Sequence, residues 1–263
     1  ALRKLKVHGY TINWSGSWWG PTRTNKQADV VYDEIFKADV LGDKFTVGNW
    51  QELFLGQHVL GRFLAADLPV ISQVFHYDQP NQRDIINHQL DSVKESVDSK
   101  AGGPQFSFFH LLTPHPLYVF DQDGSTPDYH QSPDVDDVPE KEKYVNQLVY
   151  INKRILETID YILENSPEPP VIVFQPDEGP YLFDTGEKLS AGERAQWKHG
   201  VTSAFYLPGY EQDEIELSPV NIFRYLFNEY VGYELDYLEN RNYNYSKSSP
   251  YNFQNITELI EEE

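Results

Sequence analysis

Two runs that are almost wholly apolar, Gln105 to Leu112 and Val171 to Gln175, constrain the fold of this chain more than any other feature. Short continuous apolar runs of this kind read as strands buried on both faces, which a sheet covered by helices requires. Between them Leu148, Ile151, Ile155, Ile159 and Ile162 recur at steps of three and four. That spacing predicts a long helix over about Glu140 to Asn165, stopped by Pro167, Pro169 and Pro170. A third apolar run, Val201 to Leu207, is closed by Pro208 and Gly209. Strands alternating with helices predict an α/β fold with a largely parallel central sheet and helices on both faces.

The remaining pattern fits that class. Leu5 to Ile12 reads as a strand, and Gln27 to Val40 and Trp50 to Leu64 read as helices. Asn81 to Val97 is amphipathic through Ile85, Ile86, Leu90, Val93 and Val97, before Gly102, Gly103 and Pro104 break the chain. Asp121 to Lys143 is an acidic, Pro-containing loop. Ser218 followed by Pro219 has the form of a helix start, running to about Tyr230. The Tyr- and Asn-rich tail from Tyr233 is expected to wrap the surface.

Composition removes several classes of function. The 263 residues carry 21 basic and 41 acidic side chains, a net charge of −20. Phosphate backbones and anionic membrane surfaces attract basic proteins, so neither nucleic acid nor a lipid headgroup layer is the expected partner. No apolar run reaches the length of about 18 residues that a membrane helix needs. There is no cysteine, hence no disulfide framework and no thiol nucleophile. Hydrophobic residues make up 40% of the chain, enough for a substantial core.

Ligands of open α/β sheets bind beyond the carboxyl ends of the strands. The first apolar run ends in Thr113-Pro114-His115-Pro116, and the second in Pro176-Asp177-Glu178-Gly179-Pro180. The third is preceded by Trp197-Lys198-His199-Gly200. Each has a plain reading: His115 as part of a rigid turn, Asp177 and Glu178 as a solvated turn, His199 as a surface residue. Convergence of neighbouring strand ends would instead gather two carboxylates and two imidazoles, a set suited to a divalent ion such as Mn²⁺ or Zn²⁺. Asp121-Gln122-Asp123-Gly124 opens like a calcium loop but lacks the later ligands and reads as a turn. Asn-x-Ser/Thr sequons occur at Asn13, Asn244 and Asn255, close to chance in an Asn-rich chain. No Gly-x-Ser-x-Gly elbow, phosphate-binding loop or Gly-x-Gly-x-x-Gly is present.

The stretch Phe106-Ser107-Phe108-Phe109-His110-Leu111-Leu112-Thr113-Pro114-His115-Pro116-Leu117-Tyr118-Val119-Phe120-Asp121 resembles a characteristic segment of sulfatase-like proteins of the alkaline phosphatase superfamily. Tyr144 to Ile162 resembles the helix that follows, and Val171 to Pro180 the family's Asp-His-Gly-Pro metal segment. Ala204 to Gly209 and Ser218 to Arg224 resemble its later segments, and Lys6 to Tyr10 more loosely an early strand. The resemblance implies an alkaline-phosphatase-like sandwich and hydrolysis or transfer of a phosphate or sulfate ester. It implies a divalent cation (Mn, Zn, Mg or Ca) that polarises the ester. By position Asp177 would ligate the metal, His199 would be a second ligand, and His115 would meet the substrate or its leaving group. It further implies an extracytoplasmic domain whose parent is membrane-anchored.

Two departures accompany the resemblance. Glu178 stands where the family has His, which replaces a nitrogen donor with a carboxylate. The family's first strand and its nucleophile segment precede the Gly9-Tyr10 strand, and Cys/Ser-x-Pro-x-Arg is absent from the sequence. The chain thus reads as a single domain over residues 1–263 that lacks these parts, matching the later two-thirds of the family's domain. The alternative is a catalytically inactive sulfatase-like domain kept for binding or assembly. A carbohydrate-binding use of the aromatics has little support, since buried aromatics are the default.

Overall fold

A computed structural model describes residues 1–17, 19–32, 82–99, 102–128, 138–180, 189–211, 217–246 and 248–261. The chain divides into two compact units, Ala1–Asn165 and Ser166–Glu263.

In the first unit, β1 (Thr11–Ser15) lies between β2 (Val30–Val31) and β3 (Gln105–Phe109), and both pairings are parallel. The β1–β3 register runs from Thr11 opposite Gln105 to Ser15 opposite Phe109. β1 is the strand covered on both faces: Ile12, Asn13, Trp14 and Ser15 are all buried. β3, expected in the interior, is only half-buried along most of its length and pairs with β1 alone among the described residues.

Two long helices cover this sheet's core. α3 (Gln82–Asp98) packs on β1, β3 and α4 (Glu140–Asn165). Ile86 and Leu90 of α3 meet Phe120 and Ile151, with Tyr150 and Ile155 packed alongside. The bounds of α4 match the expectation, but its buried face is rotated. Lys143, Gln147, Ile151 and Thr158 are buried, whereas Val149 and Leu156 face outward. The cause is the polar need of the neighbouring loop: the Gln147 amide oxygen accepts the N–H groups of Val119 and Phe120, which require a partner once buried.

The amino-terminal segment departs from its expected form. Leu2–Val7 is a helix (α1), and the strand begins only at Thr11. Gly9 takes φ +82° at the helix end, while its N–H and that of Tyr10 bond the carbonyls of Lys6 and Leu5. This left-handed cap turns the chain into β1. The helix expected from Gln27 is replaced by a turn and β2 as far as residue 32, preceded by the short α2 (Gly20–Arg23). Residues 33–40, the expected helix Trp50 to Leu64, Asn81 and loop residues 129–137 lie outside the described residues. Asp121 to Gly124 is a turn, as read. The Asp123 carboxylate accepts the Ser125 N–H, and Arg83 donates to the carbonyls of Val119, Gly124 and Ser125.

In the second unit β4 (Ile172–Phe174) pairs with β5 (Ala204–Tyr206) in the antiparallel sense, beside the parallel sheet of the first unit that bears out the largely parallel expectation. Both strands have three residues, because Pro170, Pro176 and Pro208 offer no N–H to lengthen the ladder. Between them lies α5 (Ala191–His199), which the apolar pattern does not announce. Its carboxyl end is drawn back beside the turn after β4, so β5 enters opposite Phe174 and runs back along β4. Leu207, Ile222 and Tyr225 form this unit's core. The helix expected at Ser218 starts later, as α6 (Ile222–Val231): Ser218 to Asn221 form a turn, and the Ser218 side chain makes no cap bond. The tail is more ordered than a surface wrap. Asn221 bonds both backbone groups of Leu238, and a hairpin of β6 (Tyr243–Ser246) and β7 (Ser249–Asn255) leads into α7 (Thr257–Glu261). No helix among the described residues is long and apolar enough to cross a membrane.

Candidate functional site

The site is built in the second unit, at the carboxyl end of β4. There the chain turns through Asp177 and Glu178, and the Glu178 N–H bonds its neighbour's carboxylate at 3.0 Å. Gly179 then presses against the end of α5: its N–H donates to the Lys198 carbonyl at 2.7 Å. A Cβ at this position would lie 1.9 Å from the Trp197 carbonyl oxygen, so only glycine permits the approach. This clamp brings the Asp177–Glu178 turn to Lys198 and His199.

α5 itself is set by a capping box. The Ser190 hydroxyl accepts the Glu193 N–H at 3.1 Å, and the Glu193 carboxylate accepts the Ser190 N–H at 2.7 Å. The Ser190 N–H first, and then the Ser190 hydroxyl, hold the Glu193 carboxyl below the usual carboxylate range. Lys198 and His199 occupy the last turn, where the helix dipole favours positive charge.

A cavity of about 300 Å³ lies between these elements. Gln175, Asp177 and Glu178 line one side, Lys198 and His199 a second, and Tyr243 and Tyr245 of β6 a third. Lys198 is tethered over the Tyr245 ring, 5.7 Å from its centroid, and its ammonium donates to the Asn244 side chain at 3.4 Å. Burial pushes the His199 imidazole below its usual range and Lys198 adds to the push, while Glu178 opposes it. His199 is therefore neutral near pH 7. Its Nε2 atom is buried without a protein partner, and so is the Gln175 amide oxygen. The Ser218 hydroxyl, adjacent to lining residue Pro219, is in the same state. Each unpaired buried polar atom costs about 1–3 kcal/mol.

Of the residues expected from sequence, Asp177, Glu178 and His199 thus share one cavity. His115 belongs to the first unit. It is exposed, its N–H bonds the Leu112 carbonyl at 2.9 Å, and its ring Nδ1 contacts the Pro116 carbonyl. Gln175, Lys198, Tyr243 and Tyr245 were not anticipated. The tyrosines carried a signal, since alternate residues of a strand share a face. The Ser190–Glu193 spacing likewise announced the start of α5.

The donor set falls short of a metal centre. Among the described residues no group of three or more His, Asp or Glu side chains is gathered so as to hold a metal ion. Asp177 and Glu178 are both exposed, and the nitrogen donor of the resembling segment is replaced by Glu178. Among the described residues, this set therefore does not by itself fit a resident cation.

Comparison with known proteins gives one family. The sulfatase family matches over residues 2–205, which include β1, β3, α4 and the Asp177–Glu178 turn. Nothing among the curated proteins or the solved structures matches. A match over most of the chain, joined to a parallel sheet flanked by helices and an acidic turn at a strand end, places this protein in the sulfatase family of the alkaline phosphatase superfamily.

Proposed function

We propose that the cavity at the end of β4 receives a phosphate or sulfate ester, and that the domain acts on it as a sulfatase-like hydrolase or transferase. The observation that carries this reading is the neutral His199 ring, whose buried Nε2 has no protein partner in the cavity that Asp177 and Glu178 line. The ring N–H, or the ring nitrogen as acceptor, is available to an ester oxygen or its leaving hydroxyl. Lys198 supplies the positive charge beside it. His115, on its own exposed loop, is proposed to meet substrate or leaving group. A divalent cation is held weakly, because water must replace protein ligands around it. An extracytoplasmic location with an anchored parent belongs to the same proposal.

A second reading, a binding domain without turnover, is favoured by Glu178 in place of His and by the ungathered donors. Titration with aryl phosphate and aryl sulfate, with and without Mn²⁺, Zn²⁺ or Mg²⁺, followed by release of the phenol, separates the two. Ester binding lost in His199→Ala and Asp177→Ala, with turnover, is the expected result. Binding without turnover leaves the second reading. Binding indifferent to both substitutions removes the site.

A further inference from the structure

The hairpin of β6 and β7 lies beyond residues 2–205, the stretch that matches the family. Tyr243 stands opposite Asn255, so the two side chains share a face. Alternate residues of a strand point the same way, which puts Phe253 and Tyr251 on that face too. Tyr245 joins them, its ring meeting that of Phe253 edge to face with centroids 6.4 Å apart. Aromatic side chains are usually largely buried, yet here Tyr243 is 45% exposed, Tyr245 52%, Phe253 62% and Tyr251 91%. Single exposed apolar side chains need no explanation, whereas four gathered on one face mark a surface that receives a partner.

The chemistry of the hairpin narrows the partner. From Asn242 to Ile256 the sequence holds a single charged residue, Lys247, in a chain of net charge −20. The other polar groups of this stretch are amides and hydroxyls. Aromatic faces beside amides suit a molecule that is itself uncharged, with C–H groups on its faces and hydroxyls at its rim. A pyranose ring has that form. A second copy of the chain would instead bring another −20 to the contact. The aromatic face is also continuous with the cavity at the end of β4, since Tyr243 and Tyr245 line both. There the Gln175 amide oxygen is buried without a protein partner, an acceptor that a sugar hydroxyl satisfies. From Tyr251 to Asn255 the strand runs about 13 Å, at about 3.3 Å per residue, which accommodates more than one sugar ring.

We propose that the aromatic face of the β6–β7 hairpin binds a chain of uncharged pyranose sugars, with Tyr251 and Phe253 at its outer end and Tyr245 and Tyr243 at the end that meets the cavity. Binding rests on the stacking of sugar rings on these side chains and not on ester turnover, so it stands whether or not the cavity acts on an ester. The sequence made a carbohydrate-binding use of the aromatics a poor expectation because burial is their default, and this hairpin leaves four of them exposed together.

The test titrates the full chain with cellohexaose, xylohexaose, mannohexaose and maltohexaose up to millimolar concentration, by calorimetry and by tyrosine fluorescence. The expected result is binding of at least one of them that added salt leaves unchanged, because no charge is read. Tyr251→Ala and Phe253→Ala should each weaken it about 10-fold, while Tyr251→Phe, which keeps the ring, preserves it. Aryl sulfate binding at the cavity should be the same in all three variants, which separates failure of this proposal from failure of the ester reading. Tyr251 is so exposed that its truncation leaves the fold intact. Absence of binding across the panel overturns the proposal, as does binding indifferent to both alanine substitutions. Binding of a sulfated glycan alone overturns it too, since Lys198 and not the aromatic face would then be read. A dimer in light scattering that Tyr251→Ala and Phe253→Ala dissolve, with no sugar bound, assigns the face to a second copy instead.

Discussion

The strand ends of the two units treat their polar side chains in opposite ways. Just beyond the tips of β1 and β3, Ser17 and Thr22 meet His110, and Gln89 bonds the Gly16 and His110 carbonyls, so each has a hydrogen-bond partner within the protein. At the tip of β4, Gln175 and His199 each bury a polar atom that no protein group meets. The first arrangement spends its hydrogen bonds on rigidity. The second leaves capacity for a ligand at a cost of about 1–3 kcal/mol per unpaired group. Both depend on a glycine where backbone meets backbone, Gly16 in one unit and Gly179 in the other.

That shared device gives the largest expected effect. Gly179→Ala places a methyl group 1.9 Å from the Trp197 carbonyl, and neither backbone can yield without losing the Gly179–Lys198 bond. We expect a loss of about 3 kcal/mol in denaturant unfolding and loss of ester binding at the cavity. Gly102→Ala, with nothing within 4 Å, is the control and should move stability little. An unaffected Gly179→Ala chain would show that the clamp does not set the cavity.

Two buried asparagines, Asn221 and Asn13, differ in how replaceable their bonds are. Asn221 holds both backbone groups of Leu238, which have no replacement once it is truncated. Asn13 donates to the side chains of Gln105 and Ser107, and Gln105 also accepts from Ser99, so its partners can re-pair. Asn221→Ala should cost about 2 kcal/mol and Asn13→Ala about 1 kcal/mol. The reverse order in paired unfolding curves would contradict the view that the first unit's network is the more redundant.

These contrasts also mark what the sequence could tell. The helix α4, the strand cores of β3 and β4, and the gathering of Asp177, Glu178 and His199 were readable, because periodicity and strand-end position act through neighbours in sequence. The strand expected at Leu5 to Ile12 failed because alternation of Leu5 and Val7 mimics a strand, while Gly9 quietly ends a helix; Val7 is exposed. The antiparallel pairing of β4 and β5 was hidden because it joins residues some thirty positions apart, from Phe174 opposite Ala204 to Ile172 opposite Tyr206, and no local pattern encodes it. The Thr22–His110 contact was hidden for the same reason. It needs the β1–β3 register, and no local pattern encodes that register.

A smaller effect is expected at the start of α5. Ser190→Ala removes one half of the capping box and should cost about 1 kcal/mol. The Gly179 clamp sits at the other end of the helix, so ester binding should survive. Loss of binding in Ser190→Ala, beyond what the stability change accounts for, would mean that the whole helix, and not its last turn, positions His199.

The smallest effect is a pH dependence that separates the two units. Burial first, and then Lys198, lower the folded affinity of His199 for a proton below that of an ordinary imidazole, which titrates near 6.5, against the opposing pull of Glu178. The unfolded chain therefore binds more protons than the folded one as pH falls through that value, and unfolding free energy must fall with pH there. The contribution is complete above about pH 6.5 and is progressively lost below it. His199 is partly solvated, so the slope is shallow. His199→Gln should remove this part of the slope while leaving the carboxylate-driven loss at lower pH intact. Glu178→Gln should steepen it, because the one group that favours the charged ring is gone. Equilibrium unfolding of the three chains between pH 5 and 8 measures both changes. A Glu178→Gln curve shallower than that of the unsubstituted chain would mean that Glu178 and His199 do not face each other across the cavity.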